Sequence, residues 1–187
     1  MPIVRRDPDT VYQLKITLKG SKPPIWRRLQ VRSNTTLAHM HLVFQIVMGW
    51  TDSHLHVFRV GDVEYGAPDP EWDMEVRDEG RVRLGQIVKA SGERFAYAYD
   101  FGDDWDHVVL VEKVLPPEPD ARYPVVLTGR RACPPEDVGG IWGYPDFLAA
   151  LANPEDAEHE RWREWIGGSF DPEAFAVDAI NRTLWGD

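Results

Sequence analysis

The stretch RFAYAYDFGDDWDHVVLVEKV, residues 94–114, decides the fold. Phe95, Tyr97, Tyr99 and Phe101 fall on one side of a period-two pattern, and Ala96, Ala98 and Asp100 fall on the other. After Gly102-Asp103-Asp104 the alternation resumes from Trp105, which predicts a β-hairpin. Asp103 and Asp104 suit its turn, because their short side chains hydrogen-bond nearby backbone N–H groups.

Upstream, HLHVFRV (54–60) runs through Gly61-Asp62 into VEY, a second hairpin signal. Earlier still, VYQLKITLK (11–19) sets Tyr12, Leu14, Ile16 and Leu18 against Val11, Gln13 and Lys15, as a half-buried strand does. IWRRLQV (25–31) reads as its antiparallel neighbour, and the Pro23-Pro24 entry predicts an edge position for that strand's start. Asn34, Thr35 or Thr36 can cap the helix that follows, in which Leu37, Met40, Phe44, Val47 and Met48 recur at helical spacing up to Gly49. Residues 66–83 are rich in acids and proline and predict an irregular loop.

Downstream, a proline-dense connector (116–124) leads to a strand over 125–130 and then to a loop, RACPPEDVGGIWGYP (131–145). Helices are predicted over 144–153, 154–166 and 172–184, the last capped by Asp171. Strands first and helices last predict an α+β fold as a single domain over 1–187: a single mainly antiparallel β-sheet, one early helix and a C-terminal helical segment.

At 187 residues and 43% hydrophobic the chain can bury an ordinary core, and 11% aromatic content argues against disorder. No apolar run approaches the ~20 residues that span a bilayer, so no membrane partner is expected. Cys133 is the lone cysteine and the first residues lack the apolar centre of a signal peptide, which together point to a reducing cytoplasm. The net charge of −10 is uneven: residues 1–50 hold eight Lys or Arg against two Asp, whereas the remainder holds 13 against 29 acids. The overall sign disfavours nucleic acid, and the basic first fifty residues are the one stretch that would suit it.

His54 and His56, two apart in a predicted strand, would project from one face and could share an ion. Asp103 and His107 of the hairpin and Cys133 and Glu136 of the loop are further candidate ligands; imidazole with carboxylate suits zinc, iron or manganese, and a thiolate favours zinc. Asp104 or Asp137 could then activate a water as general base in a metal-dependent hydrolase. The competing reading is structural, with the acids simply solvating a turn.

Other chemistries fail on the residues. The DFG triplet (100–102) has no Gly-rich phosphate loop before it and no HRD-type loop elsewhere. A calcium loop counted from Asp100 or Asp103 would need Glu at its twelfth place, where Val111 or Val114 stands. No GxSxG elbow occurs. Cys133 could act as a nucleophile only beside a base, and a buried structural thiol is the commoner case. Eight tryptophans, among them Trp72, Trp105 and Trp142, are too many for the core alone, so some should line a groove.

Taken in order, PPIWRRLQV, LVFQIVMGWTDSHLHVF, YDFGDDWDHVV, ACPPEDVGGIWGY and FDPEAFAVDAIN resemble the family named for the third open reading frame of a root-inducing plasmid, over residues 10–184. The resemblance implies a compact α+β domain, an association with plasmids and mobile elements, and no established activity. Its motif positions include His54, Asp100, Gly102, Asp103, Trp105 and His107, then Cys133, Glu136, Asp137, Gly139, Gly140, Gly143 and Tyr144, which implies that hairpin and loop meet in space. The expectation is therefore an accessory or binding protein whose site comprises Asp100, Asp103, Trp105, His107, Glu136, Asp137, Trp142 and Tyr144. Its partner would be a protein or a small ligand, and a divalent metal such as zinc is the one cofactor the residues suggest.

Overall fold

The computed structural model describes residues 10–68 and 76–187; Trp72 and part of the 66–83 segment lie outside them. Eight strands, β1 (Val11–Leu18), β2 (Trp26–Arg32), β3 (His56–Val60), β4 (Val63–Gly66), β5 (Arg77–Asp78), β6 (Arg94–Tyr99), β7 (Trp105–Leu115) and β8 (Val125–Arg130), form one sheet in the order β5-β4-β3-β6-β7-β1-β2-β8, antiparallel except where β4 meets β5. The fold is α+β, as the order of elements implied.

At its centre lies the hairpin of β6 (Arg94–Tyr99) and β7 (Trp105–Leu115), with β1 (Val11–Leu18) on the far side of β7 and β2 (Trp26–Arg32) beyond it. Inward residues of these strands, among them Leu14, Ile16, Leu29, Tyr97, Trp105 and Val109, are fully buried. Across them packs α1 (Leu37–Met48), whose Met40, Phe44 and Val47 complete the core. Thr36 caps α1 by accepting the His39 N–H at 3.2 Å, which contributes about 1 kcal/mol. Gly49, at φ 89°, ends it in the left-handed conformation that glycine adopts without steric cost.

Four elements depart from the sequence reading. β2 is not at an edge, because β8 (Val125–Arg130) pairs with it from Trp26 onward; the prolines precede the ladder and remove no bond from it. β3 (His56–Val60) starts at His56, so His54 precedes the strand and escapes its alternation; β4 (Val63–Gly66) follows through the expected turn. Where a loop was expected over 66–83, the chain holds β5 (Arg77–Asp78) and a 3-10 turn (Glu79–Arg81), and α2 (Leu84–Ile87) follows. Phe101 is 43% exposed: Asp100, at φ 57°, turns the chain before it and breaks the parity with Tyr99.

The C-terminal helices α3 (Gly140–Ala152), α4 (His159–Trp165) and α5 (Val177–Trp185) are offset from expectation. α3 starts four residues early. α4 and α5 start late because Asn153, Asp156 and Asp171 each accept an N–H two residues on, closing turns that compete with helix. α5 is held to β8 by Asn181, whose amide exchanges two hydrogen bonds with the backbone of Val126. The helices lie on the inner face of the sheet, and outward residues of β1, β2 and β7 such as Lys15, Trp26, Arg28 and Leu110 remain half-exposed.

Candidate functional site

Three segments converge at one end of the sheet. The lead into β3 supplies His54, the β6–β7 turn supplies Asp100 to Asp104, and the loop between β8 and α3 supplies Glu136 and Asp137. The Asp100 N–H donates to the Leu55 carbonyl at 2.8 Å, tying turn to lead-in, and the Gly139 N–H donates to Asp103 Oδ2 at 3.2 Å, tying loop to turn. The loop is pinned from below by the Trp50 indole N–H on the Pro134 carbonyl (3.0 Å). Glu136 accepts from the hydroxyls of Thr51 (2.6 Å) and Tyr99 and from the Thr51 N–H. Burial together with Glu136 pushes the Tyr99 phenol up, so it remains a donor.

Asp100 is 6% exposed. Its Oδ1 accepts from the N–H groups of Gly102 (2.9 Å) and Asp103 (3.3 Å), which leaves Oδ2 facing His54 Nε2 at 3.6 Å. Asp137, exposed and at φ 62°, brings Oδ1 to 3.2 Å from the same nitrogen. That Nε2 is buried and has no hydrogen-bond partner among the described residues. One atom from each of the three side chains lies within 4.8 Å of the others, a spacing that an ion with bonds of ~2 Å could close. Two hard carboxylate oxygens and one imidazole suit manganese, iron or zinc, and three ligands leave positions open for a further group.

A second cluster joins His41, Asp52 and His56. His41 and His56 stack with centroids 3.4 Å apart and planes 4° from parallel. A metal bonds imidazole in the ring plane, and two parallel stacked planes do not share such an ion. The donors are also engaged: His41 Nε2 meets Asp52 (2.7 Å), its Nδ1 meets the Tyr97 hydroxyl (2.8 Å), and His56 Nε2 meets Glu79 (2.8 Å). Burial, and then His56, lower the pKa of His41. This cluster is a partly buried polar network that joins His41 of α1 to the sheet.

Several sequence-based expectations need correction. His54 and His56 face different partners and do not share an ion, for the reason of strand start given above. His107 points into the core between Tyr97 and Trp50, is 0% exposed, and has its pKa lowered to about 4 by burial. Cys133 is buried, with its thiol pushed up to about 12 by burial against the opposing effect of Arg27; it stands in neither ligand cluster. Trp105 is core, and Tyr144, 8% exposed, stacks on Phe147. Asp103 braces the loop, Glu136 is occupied by its donors, and Asp104, at φ 54°, shapes the turn. Trp142 is 88% exposed at the start of α3. The sequence reading missed His41, Thr51, Asp52, Glu79 and Tyr99; the signal for His41 was a polar residue on the apolar face of α1, one turn from Gln45, which donates to the same Tyr97 hydroxyl.

Fold and site together describe an α+β protein with one helix-covered sheet and an acidic, histidine-bearing junction at the sheet's end. Residues 10–179 match the model of the plasmid pRiA4b ORF-3-like proteins, and the chain belongs to that family. It is 41% identical over 177 residues to an uncharacterized protein, y4hQ, of Sinorhizobium fredii (strain NBRC 101917 / NGR234), covering 94% of this chain and 91% of that one. It also matches the crystal structure of a protein of unknown function, MM3350, from Methanosarcina mazei Go1, with a TM-score of 0.84, 37% identity, and coverage of 92% of this chain and 98% of that one. Among the described residues no helix is long and apolar enough to cross a membrane.

Proposed function

We propose that this is a binding protein whose junction site takes a divalent cation through His54 Nε2, Asp100 Oδ2 and Asp137 Oδ1, the cation's open positions receiving a ligand. One observation carries the reading: a buried imidazole nitrogen without a hydrogen bond faces two carboxylates. An unpaired buried polar nitrogen costs about 1–3 kcal/mol, and an ion would recover that cost. Binding is preferred to hydrolysis because neither acid expected as general base is free for it: Asp104, at φ 54°, shapes the turn, and Asp137 faces His54 as a ligand. An association with plasmids and mobile elements would make the protein an accessory to them.

The test is calorimetric titration of chelator-treated protein with manganese and zinc, beside His54→Ala and Asp137→Asn. Near-stoichiometric uptake that both variants lose supports the site. Uptake unchanged in the variants, or none in the parent, removes it.

A further inference from the structure

The outer face of the sheet carries a second surface that the cation site does not use. Register places Arg59, Ala96, Val108, Thr17, Trp26 and Arg130 in one row across six strands. The next row is Arg94, Leu110, Lys15, Arg28 and Thr128. Arg28 is neutralised by Glu112 at 2.6 Å and Arg59 by Glu64 at 2.8 Å. Lys15, Arg94 and Arg130 have no ion pair among the described residues, in a chain whose net charge is −10. Lys15 Nζ and the Arg28 guanidinium lie over the half-exposed Trp26 ring, 4.8 and 5.2 Å from its centroid. Beside them a groove of about 490 Å³ runs along β1 and β7, lined by Gln13, Arg28, Ser91, Leu110, Glu112 and Lys113.

A cationic strip on an acidic molecule selects a polyanion, and an indole among the cations adds a surface on which a base can stack. The groove falls within the ~300–1,000 Å³ of small-ligand sites, room for one nucleotide unit, and the Ser91 hydroxyl, which donates to the Glu112 carbonyl, keeps lone pairs to accept from it. Among the described residues the strip is a broad sheet face without a projecting helix or ribbon, so it does not enter a duplex groove, whereas a splayed single strand can lie across it. We propose that the outer face of β6, β7, β1, β2 and β8 binds single-stranded nucleic acid, with Lys15, Arg94 and Arg130 on phosphates and a base against Trp26. The proposal uses none of the cation-site residues His54, Asp100 and Asp137 and holds with or without that site.

The test is fluorescence anisotropy of a labelled fifteen-nucleotide oligothymidylate with the full chain, as salt is raised from about 50 to 200 mM. Affinity is expected to fall with salt, and Lys15→Gln and Arg130→Gln each to weaken binding and flatten the salt slope by about one. Trp26→Leu should weaken binding roughly 5- to 100-fold with the slope kept. Arg161→Gln, which removes an exposed cation from α4, should bind as the parent does. No binding at low salt, equal binding by the Lys15→Gln/Arg130→Gln double variant, or binding of duplex or polyglutamate as tight as that of the single strand would overturn the proposal. Thermal melts screen the variants, and if Trp26→Leu fails to fold, the charge-removing double variant decides.

Discussion

The Cβ that Gly140 lacks would lie 2.2 Å from the carbonyl oxygen of Asp103. Loop and hairpin turn touch backbone to backbone there, at φ +67°, so both the space and the conformation demand glycine. Gly140→Ala is expected to destabilise the protein by roughly 2–4 kcal/mol in urea unfolding, and to weaken any cation affinity by displacing Asp137. Gly61→Asn is the control: it also has positive φ, but nothing lies within 4 Å, and Asn tolerates that conformation, so the change should stay under about 1 kcal/mol.

Asp100 serves both the turn and the junction. Asp100→Asn keeps an oxygen for the Gly102 and Asp103 N–H groups and a residue suited to φ 57°, so stability should move by less than about 1 kcal/mol. Loss of the anionic ligand should cut manganese or zinc affinity roughly tenfold or more, since even outer-shell changes cost that much. Calorimetry and urea midpoints on the same samples separate the two effects.

His107 makes stability depend on pH. Its pKa of about 4 in the fold lies below the 6.5 of a free histidine, so between those values the unfolded chain binds the extra proton. Its contribution is complete above about pH 6.5 and is lost as pH falls toward 4, by about 3 kcal/mol in all. His107→Gln should remove about one proton's worth of that slope, read as the difference between parent and variant urea midpoints at pH 7 and pH 5. Equal slopes would contradict the buried neutral imidazole.

Cys133 should be inert in the native state. With its pKa raised to about 12, only about one thiol in ten thousand is ionised at pH 8, and the side chain is buried. A thiol-specific chromogenic reagent in excess is expected to label it at the rate of unfolding, the logarithm of which rises linearly with added urea. Rapid labelling of folded protein would restore Cys133 as a reactive group.

Much of this was legible in the residues. The period-two runs identified β1, β2, β3, β6 and β7, and the cap candidates Asn34, Thr35 and Thr36 together with Gly49 bounded α1, because alternation, capping and left-handed glycine act over a few neighbouring residues. Asp100 and Asp137 stood out as site residues, yet pairing them with His54 required the fold. The local rule that set His54 beside His56 failed because β3 begins at His56, and strand start is decided by the pairing of His56 with Tyr99.

The sequence by itself determined the α+β class, the central hairpin, the family and the set of acids from which the site is built, since each follows from composition and short-range pattern. Only the tertiary structure decided which of those groups act together. Burial took His107 and Cys133 out of chemistry, and Tyr99 and Thr51 occupied Glu136. Strand order placed Lys15, Arg94 and Arg130, far apart in the chain, on one face of the sheet. Burial and long-range pairing are properties of the whole packed chain, and no window of neighbouring residues contains them.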